Sequence, residues 1–107
     1  RKKDMIISGG ENIASSEVER VVYQMDDVLE AAIIGLPDAQ WGERVAAVIV
    51  PKSGSTLDRA TLDAHCRQHL AGFKCPKDLY VVEELPRNPS GKVLKRILRE
   101  QLGETET

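Results

Sequence analysis

The chain has 107 residues, of which 41% are apolar and 30% charged, and its formal net charge is −2. This length suits one small domain with one core, and the balance of apolar and charged residues is that of a soluble globular protein. The weak negative charge argues against electrostatic binding of nucleic acids, and no apolar run approaches the roughly 20 residues that cross a bilayer.

The chain begins with a short strand and a helix. Residues 5–7 are β-prone, and a glycine pair ends that run because glycine adopts backbone conformations closed to other residues. Ser16 and Glu19 fit a capping box, and apolar residues follow at the spacing of one helical face. We therefore predict a helix over residues 16–25.

Two longer strands follow. Residues 28–36 and 44–50 are almost continuously apolar and rich in β-branched side chains, which predicts strands that are covered on both faces. The connection between them carries Trp41. A large aromatic residue there is either a partly buried packing residue or part of a surface that contacts another domain.

The next element is a second helix. Asp58 suits the N-cap position, and Leu62, Cys66 and Leu70 follow at i, i+4 and i+8 relative to Leu62. This spacing predicts an amphipathic helix over residues 58–70, with the three apolar side chains on its buried face.

A third strand and a last helix complete the chain. Residues 79–82 predict the strand, and apolar residues from Leu94 onward predict the helix. We expect Lys95, Arg96 and Arg99 to form the solvated face of that helix. The order of the elements indicates a small three-stranded mixed sheet covered by helices.

Neither the cysteines nor the histidines predict a metal site. Cys66 and Cys75 lack the spacing of metal ligands, so we expect free thiols in a reducing, intracellular environment. His65 and His69 lie one helical turn apart, a spacing that can bind a metal ion, but no third ligand is evident.

Three segments, in order, resemble the C-terminal domain of the adenylate-forming superfamily, and that of acyl-CoA synthetases in particular. The first, RKKDMIISGGENI, spans residues 1–13, and the second, GLPD with WGE, spans residues 35–43. The third joins FKCPK at residues 73–77 to LPRNPSGKVLKR at residues 85–96. A single short motif occurs by chance, so the resemblance depends on all three segments together. It implies an α+β fold in which an N-terminal β-hairpin accompanies the mixed sheet.

The resemblance also implies an enzyme that joins a carboxylic acid to coenzyme A in two steps. ATP, with Mg²⁺, activates the acid as an acyl-adenylate, and the CoA thiol then displaces AMP. In this family a large N-terminal domain binds ATP and the acid, and the small C-terminal domain is a lid that rotates between the steps. Residues 1–107 would be this single lid domain, ordered over about residues 4–102 and part of a longer cytoplasmic enzyme. Alone it would be inactive, with no cofactor, metal ion or nucleic acid bound.

Four residues match positions that serve adenylation, nucleotide binding or the domain rotation in relatives. Lys92 matches the lysine that lies between the substrate carboxylate and the α-phosphate, where a cation offsets developing charge. Lys3 matches the hinge, and Arg1 and Asn12 match residues near the nucleotide. The plainer alternatives are a solvated surface lysine at position 92 and an ordinary linker residue at position 3.

Four further residues match positions that serve the CoA step. Ser8, Gly9 and Gly10 match a loop whose missing side chains leave room for the pantetheine arm, although an ordinary hairpin turn would also use two glycines. Arg67 matches an arginine that contacts the CoA 3′-phosphate in some relatives, or is simply a solvated helix residue.

Two other functions stay open at this point. The chain resembles, less closely, the matching domain of peptide-synthetase adenylation modules and of luciferases. A stand-alone binding module, for example for RNA, would use the basic stretch over residues 92–99, but the chain lacks the basic and aromatic platform that such modules use.

Overall fold

The computed structural model describes residues 4–103. Its five strands and three α-helices confirm the α+β class, the mixed three-stranded sheet and the N-terminal hairpin. Among these residues no helix is long and apolar enough to cross a membrane. The elements, in chain order, are β1 (Met5–Ser8), β2 (Glu11–Ala14), α1 (Ser15–Val22), β3 (Val28–Asp38), β4 (Gly42–Pro51), α2 (Arg59–Arg67), a 3₁₀ turn (Gly72–Lys74), β5 (Asp78–Val81) and α3 (Lys95–Gly103).

The central sheet has the strand order β3-β4-β5. Strands β3 and β4 pair antiparallel, and β4 pairs parallel with β5. Separate clusters of buried apolar side chains cover the two faces of the sheet: Ile33, Val45 and Ile49 belong to one cluster, and Ile34 and Val48 to the other. The prediction that both long strands are covered on both faces is confirmed, because adjacent residues of a strand point to opposite faces.

Strands β1 and β2 form a separate two-stranded hairpin. Ser8 pairs with Glu11, so Gly9 and Gly10 alone make the turn, and their φ angles are +59° and +82°. Positive φ at both central positions is the type I′ turn, whose twist matches that of paired strands. The residue pattern alone had not predicted β2, because Ile13 is its single large buried side chain.

The capping box predicted for α1 is wrong. The helix begins after Ala14, which makes no side-chain cap, and the Glu19 carboxylate instead accepts a hydrogen bond from the backbone N–H of Ile33 at 2.9 Å. The helix ends at Val22 rather than at residue 25. The Tyr23 N–H still makes an i→i−4 hydrogen bond, but those of Gln24 and Met25 are of the tighter i→i−3 kind.

Helix α2 has the predicted N-cap and the predicted buried face. The Asp58 carboxylate accepts from the Thr61 N–H at 2.8 Å, and hydrogen bonding lowers the pKa of Asp58. Leu62, Cys66 and Leu70 are buried. The α-helix ends at Arg67, since the following turn contains i→i−3 hydrogen bonds.

The prediction for the face of α3 is wrong at its first residue. Arg96 is well exposed, as expected. Lys95 is only 18% exposed, and its ammonium group lies among Asp4, Ser15 and Glu19. These acceptors come from the start of the chain and from α1, so a prediction made from the pattern of α3 alone could not include them.

Candidate functional site

Lys92 lies in a short loop whose shape is set by Asn88. The Asn88 side-chain oxygen accepts hydrogen bonds from the N–H and hydroxyl of Ser90 and from the N–H of Lys92, at 2.9–3.0 Å. The backbone N–H of Asn88 donates to the Lys92 carbonyl at 2.9 Å. Asparagine favours turns because its side chain mimics a backbone hydrogen bond in this way. The backbone of Lys92 is therefore fixed on both sides by one residue.

Arg87 connects the same loop to the sheet. Its guanidinium group donates to the carbonyl of Gly91 at 2.6 Å and to the carboxylate of Glu30, on β3, at 2.5 Å. Arg87 also forms a bridge with Val93, which closes the loop at its base. We had not singled out Arg87 or Asn88 in the sequence, although an asparagine between two turn residues is a signal of this kind of loop.

The side chain of Lys92 is the free cation of this loop. The residue is exposed, and within residues 4–103 its amino group has no hydrogen-bond or ion-pair partner. It borders a cavity of about 590 Å³ that Glu19, Tyr23, Arg87 and Arg99 also line. A positive charge on a fixed backbone, with a flexible stem beside an open cavity, suits the binding of a phosphate or carboxylate from another molecule.

The glycine turn of the hairpin lies against Trp41. The N–H of Gly9 donates to the Trp41 carbonyl at 2.8 Å, and a Cβ atom at Gly9 would lie 2.8 Å from Cε3 of the indole ring. A Cβ at Gly10 would have no heavy atom within 4 Å. Trp41 therefore packs on Gly9 and remains 49% exposed, as expected of a partly buried packing residue, and its contact with another domain stays a prediction.

A second cavity, of about 240 Å³, lies beside this turn. Ser8, Gly9, Trp41 and Phe73 line it together with charged residues that include Lys77. Trp41 and Phe73 are both exposed aromatic residues, so the cavity offers apolar walls next to bare backbone. It shares no lining residue with the cavity beside Lys92. The described part of the chain thus contains two separate candidate binding surfaces.

Residues 17–92 match the family model described as the AMP-binding enzyme C-terminal domain. The chain belongs to this family. The match includes Trp41, Phe73 and the whole loop up to Lys92. The resemblance inferred from the three sequence segments is thereby confirmed.

Similar proteins of this family are CoA ligases. The chain is 46% identical over 105 residues to the long-chain-fatty-acid–CoA ligase FadD13 of Mycobacterium tuberculosis, covering 98% of this chain and 21% of that protein. It is 48% identical over 103 residues to a feruloyl-CoA synthase of Amycolatopsis, covering 96% of this chain and 21% of the synthase. The chain therefore spans about a fifth of the length of these relatives.

The same fold occurs in solved structures. The apo crystal structure of MatB from Rhodopseudomonas palustris superposes with a TM-score of 0.94 at 42% identity, over 100% of this chain and 21% of MatB. A fatty acyl CoA synthetase of Mycobacterium tuberculosis superposes with a TM-score of 0.89 at 45% identity, over 95% of this chain and 20% of that one.

The other predicted site residues lie apart from both cavities or outside the described residues. Arg1 and Lys3 fall outside residues 4–103. Asn12 is exposed on β2, opposite Ile7, and lines neither cavity. Arg67 is exposed and its guanidinium donates to Asp63 at 2.8 Å, an interaction that raises the pKa of Arg67.

Within residues 4–103 no group of three potential metal ligands occurs. The His65 ring nitrogen Nε2 is instead hydrogen-bonded to the Val21 carbonyl at 2.8 Å, so His65 links α2 to α1. Cys66 and Cys75 are free thiols, as predicted, and both are buried.

Proposed function

We propose that this chain is the mobile C-terminal domain of an ATP-dependent acyl-CoA ligase and that Lys92 acts in its adenylation step. The observation that carries the proposal is the ammonium group of Lys92, which has no partner among residues 4–103 and lies on a loop that Asn88 and Arg87 hold in place. The names of the relatives, which are ligases of fatty and aromatic acids, support the reaction class.

In the adenylation step a carboxylate oxygen attacks the α-phosphorus of ATP, the bond to the β-phosphate breaks and pyrophosphate leaves. Negative charge gathers on the oxygens around the α-phosphorus in the transition state. The ammonium of Lys92 offsets this charge and aligns the two reacting groups, provided that its backbone does not move. In this proposal an N-terminal domain binds ATP, Mg²⁺ and the acid. The relatives are much longer than this chain, which is consistent with such a domain. Arg1 and Asn12 contribute to nucleotide binding in this proposal, and Lys3 is the hinge.

In the second step the pantetheine arm of CoA passes over the glycine turn. Gly10 leaves open space above the backbone, and Trp41 and Phe73 give the narrow arm two apolar walls. Lys77, one of two basic and two acidic residues that line the same cavity, supplies positive charge for a phosphate group. Arg67 is a second candidate for phosphate binding, because its guanidinium lies beside Gly72, the residue before Phe73. A Cβ atom built on Gly72 would be 3.6 Å from Nη1 of Arg67.

The adenylation role is tested by Lys92→Ala in the full-length enzyme. We expect the rate of adenylate formation to fall by roughly 100-fold or more, since a group that stabilises transition-state charge is lost. Thioester formation from supplied acyl-adenylate and CoA should stay close to that of the unaltered enzyme. Lys52→Ala, at another exposed lysine outside both cavities, is the control. Equal loss of both half-reactions would refute the assignment.

A further inference from the structure

The ammonium group of Lys95 is the centre of a polar cluster that also contains Asp4, Ser15 and Glu19. Lys95 is the first residue of α3, three positions after Lys92. It donates hydrogen bonds to the Asp4 carboxylate and to the Ser15 hydroxyl, the latter at 3.1 Å, and forms an ion pair with Glu19 Oε2 at 2.7 Å. An ammonium group has three N–H donors, and three oxygen atoms surround this one. Lys95 is therefore paired, whereas the ammonium group of Lys92 has no partner within residues 4–103.

The three acceptors of Lys95 join elements that are far apart in the sequence. The Asp4 carbonyl accepts from the N–H of Ser15 at 3.1 Å, and Ser15 is only 1% exposed. Glu19, on α1, also accepts from the N–H of Ile33 on β3. The cluster thus connects the start of the described chain, helix α1, the edge of the sheet and the beginning of α3.

The connection between these elements depends on the positive charge of Lys95, because two of its partners are carboxylates. Burial by itself raises the pKa of Asp4, but hydrogen bonds from Lys95 and Ser15, with the charges of Lys95 and Arg99, outweigh it, and the pKa of Asp4 lies below its usual value. Asp4 is thus charged at neutral pH. A neutral side chain at position 95 would leave the carboxylates of Asp4 and Glu19 without an ion-pair partner in this cluster and with only the charge of Arg99 nearby, which is unfavourable in a partly buried site.

We propose that Lys95 is a positioning residue of the adenylation step. It joins the helix that follows Lys92 to Asp4, the residue directly after Lys3, so that a rotation at Lys3 moves Lys92 as part of one rigid body. This inference rests on the proposed roles of Lys92 and Lys3. Lys95 also lines the cavity beside Lys92. In the proposal it contacts no substrate, because its ammonium group is already paired with Asp4, Glu19 and Ser15.

The glycine turn depends less on this cluster. The Ile7 N–H donates to the Glu43 carboxylate at 2.8 Å, and the Gly9 N–H donates to the Trp41 carbonyl at 2.8 Å. Both bonds hold β1 and its turn to the segment around β4, without Lys95. Loss of Lys95 should therefore affect the adenylation step more than the CoA step.

The test is Lys95→Met in the full-length enzyme, with both half-reactions measured. We expect kcat for adenylate formation to fall by roughly 10- to 100-fold, because a displacement of about 1 Å at a reacting group has this effect. The KM values for ATP and acid should change little, and thioester formation from supplied acyl-adenylate should be largely kept. Lys95→Arg, which keeps the charge, should recover part of the loss. Lys52→Met is the control for removal of a lysine charge.

Three comparisons decide the outcome. Adenylation by Lys95→Met at the level of Lys52→Met, or equal loss of both half-reactions, overturns the positioning role. If Lys95→Met does not fold, Asp4→Asn replaces it: a selective loss of adenylation supports the proposal, and its absence overturns it. Lys92→Ala is measured in parallel, since unchanged adenylation in that variant would refute the proposed function itself, whatever Lys95→Met does.

Discussion

Cys66 shows how burial controls the reactivity of a single side chain in this domain. Its thiol has no solvent exposure, and burial, with smaller contributions from Cys75 and Asp63, raises the pKa of Cys66 from 9.0 to about 11. Burial also raises the pKa of Cys75. Because the thiolate is the reactive form, both residues should be inert in the folded protein near neutral pH.

We therefore predict that iodoacetamide does not modify Cys66 at pH 8 in the native protein and modifies it readily in denaturant. The unfolded chain ionises this thiol from about pH 9, while the folded chain keeps it neutral up to about pH 11. The contribution of Cys66 to stability is thus fully present below pH 9 and is lost as the pH rises toward 11. Mass spectrometry after labelling, and denaturant unfolding at a series of pH values, measure the two effects.

Other groups also titrate in this alkaline range, so a variant has to isolate the thiol. Cys66→Val keeps an apolar side chain of similar size and cannot ionise. Its free energy of unfolding should fall less steeply between pH 9 and pH 11 than that of the unaltered protein. Equal slopes for the two proteins, or rapid labelling of native Cys66, would contradict the prediction.

At the scale of elements, the β1–β2 hairpin separates two roles of glycine. Gly9 and Gly10 both have positive φ, so any other residue at either position is strained. Only Gly9 is also close to another side chain, the indole ring of Trp41. The type I′ turn requires positive φ at both positions, whereas the packing of Trp41 requires the absence of a side chain at Gly9 alone.

The variants Gly9→Ala and Gly10→Ala test this difference. Each should lower the free energy of unfolding by about 1–2 kcal/mol through backbone strain, and Gly9→Ala should lower it further because its Cβ meets the ring. Trp41 is the single tryptophan of the chain, so its fluorescence reports the packing directly. We expect a shifted emission maximum in Gly9→Ala and an unchanged one in Gly10→Ala. The same emission in both variants would count against close packing on Gly9.

The elements that the sequence predicted correctly are those that local signals determine. The N-cap at Asp58 forms with Thr61 nearby in the chain, and the long apolar runs of β3 and β4 are recognisable by themselves. The capping box at Glu19 failed for the opposite reason. Its carboxylate has better partners in Ile33 and Lys95, and only the tertiary fold brings these residues together.

The candidate sites divide in the same way. Lys92 and the glycine pair could be identified from their motifs, because each is a local arrangement of turn residues. The aromatic walls of the second cavity could not, since Trp41 and Phe73 belong to separate connections that meet only in the folded domain. The sequence also could not show which of the two lysines is paired. Lys95 has ion-pair partners and Lys92 has none within residues 4–103, and this difference arises only from what the fold places around them.

At the scale of the whole molecule, the cavity beside Lys92 and the cavity beside the glycine turn are lined by separate sets of residues. The first is lined by Lys92 and by residues of α1 and β3, and the second by Ser8, Gly9 and Glu11, which flank Gly10 in the glycine turn. If the domain rotates between two steps, each step should depend on one of these surfaces and be insensitive to damage at the other. Lys92→Ala tests this for the first surface, and a large residue in the turn tests it for the second.

Gly10→Trp in the full-length enzyme is the variant for the second surface. The space above Gly10 is open, so the indole should fill the proposed path of pantetheine without disturbing the domain core. We expect thioester formation from supplied acyl-adenylate to fall by roughly 100-fold, as expected when the reacting thiol is misplaced, and adenylate formation to be largely kept.

Gly54→Trp is the matched control for this variant. Gly54 has a φ of +81°, against +82° at Gly10, and also has no heavy atom within 4 Å of its Cβ position, but it lies in a loop outside both cavities. Strain and added apolar surface are therefore alike in the two variants, and only their positions differ. If Gly54→Trp slows the CoA step as much as Gly10→Trp does, strain is the cause. If Gly10→Trp leaves CoA transfer intact, the pantetheine does not pass over this turn.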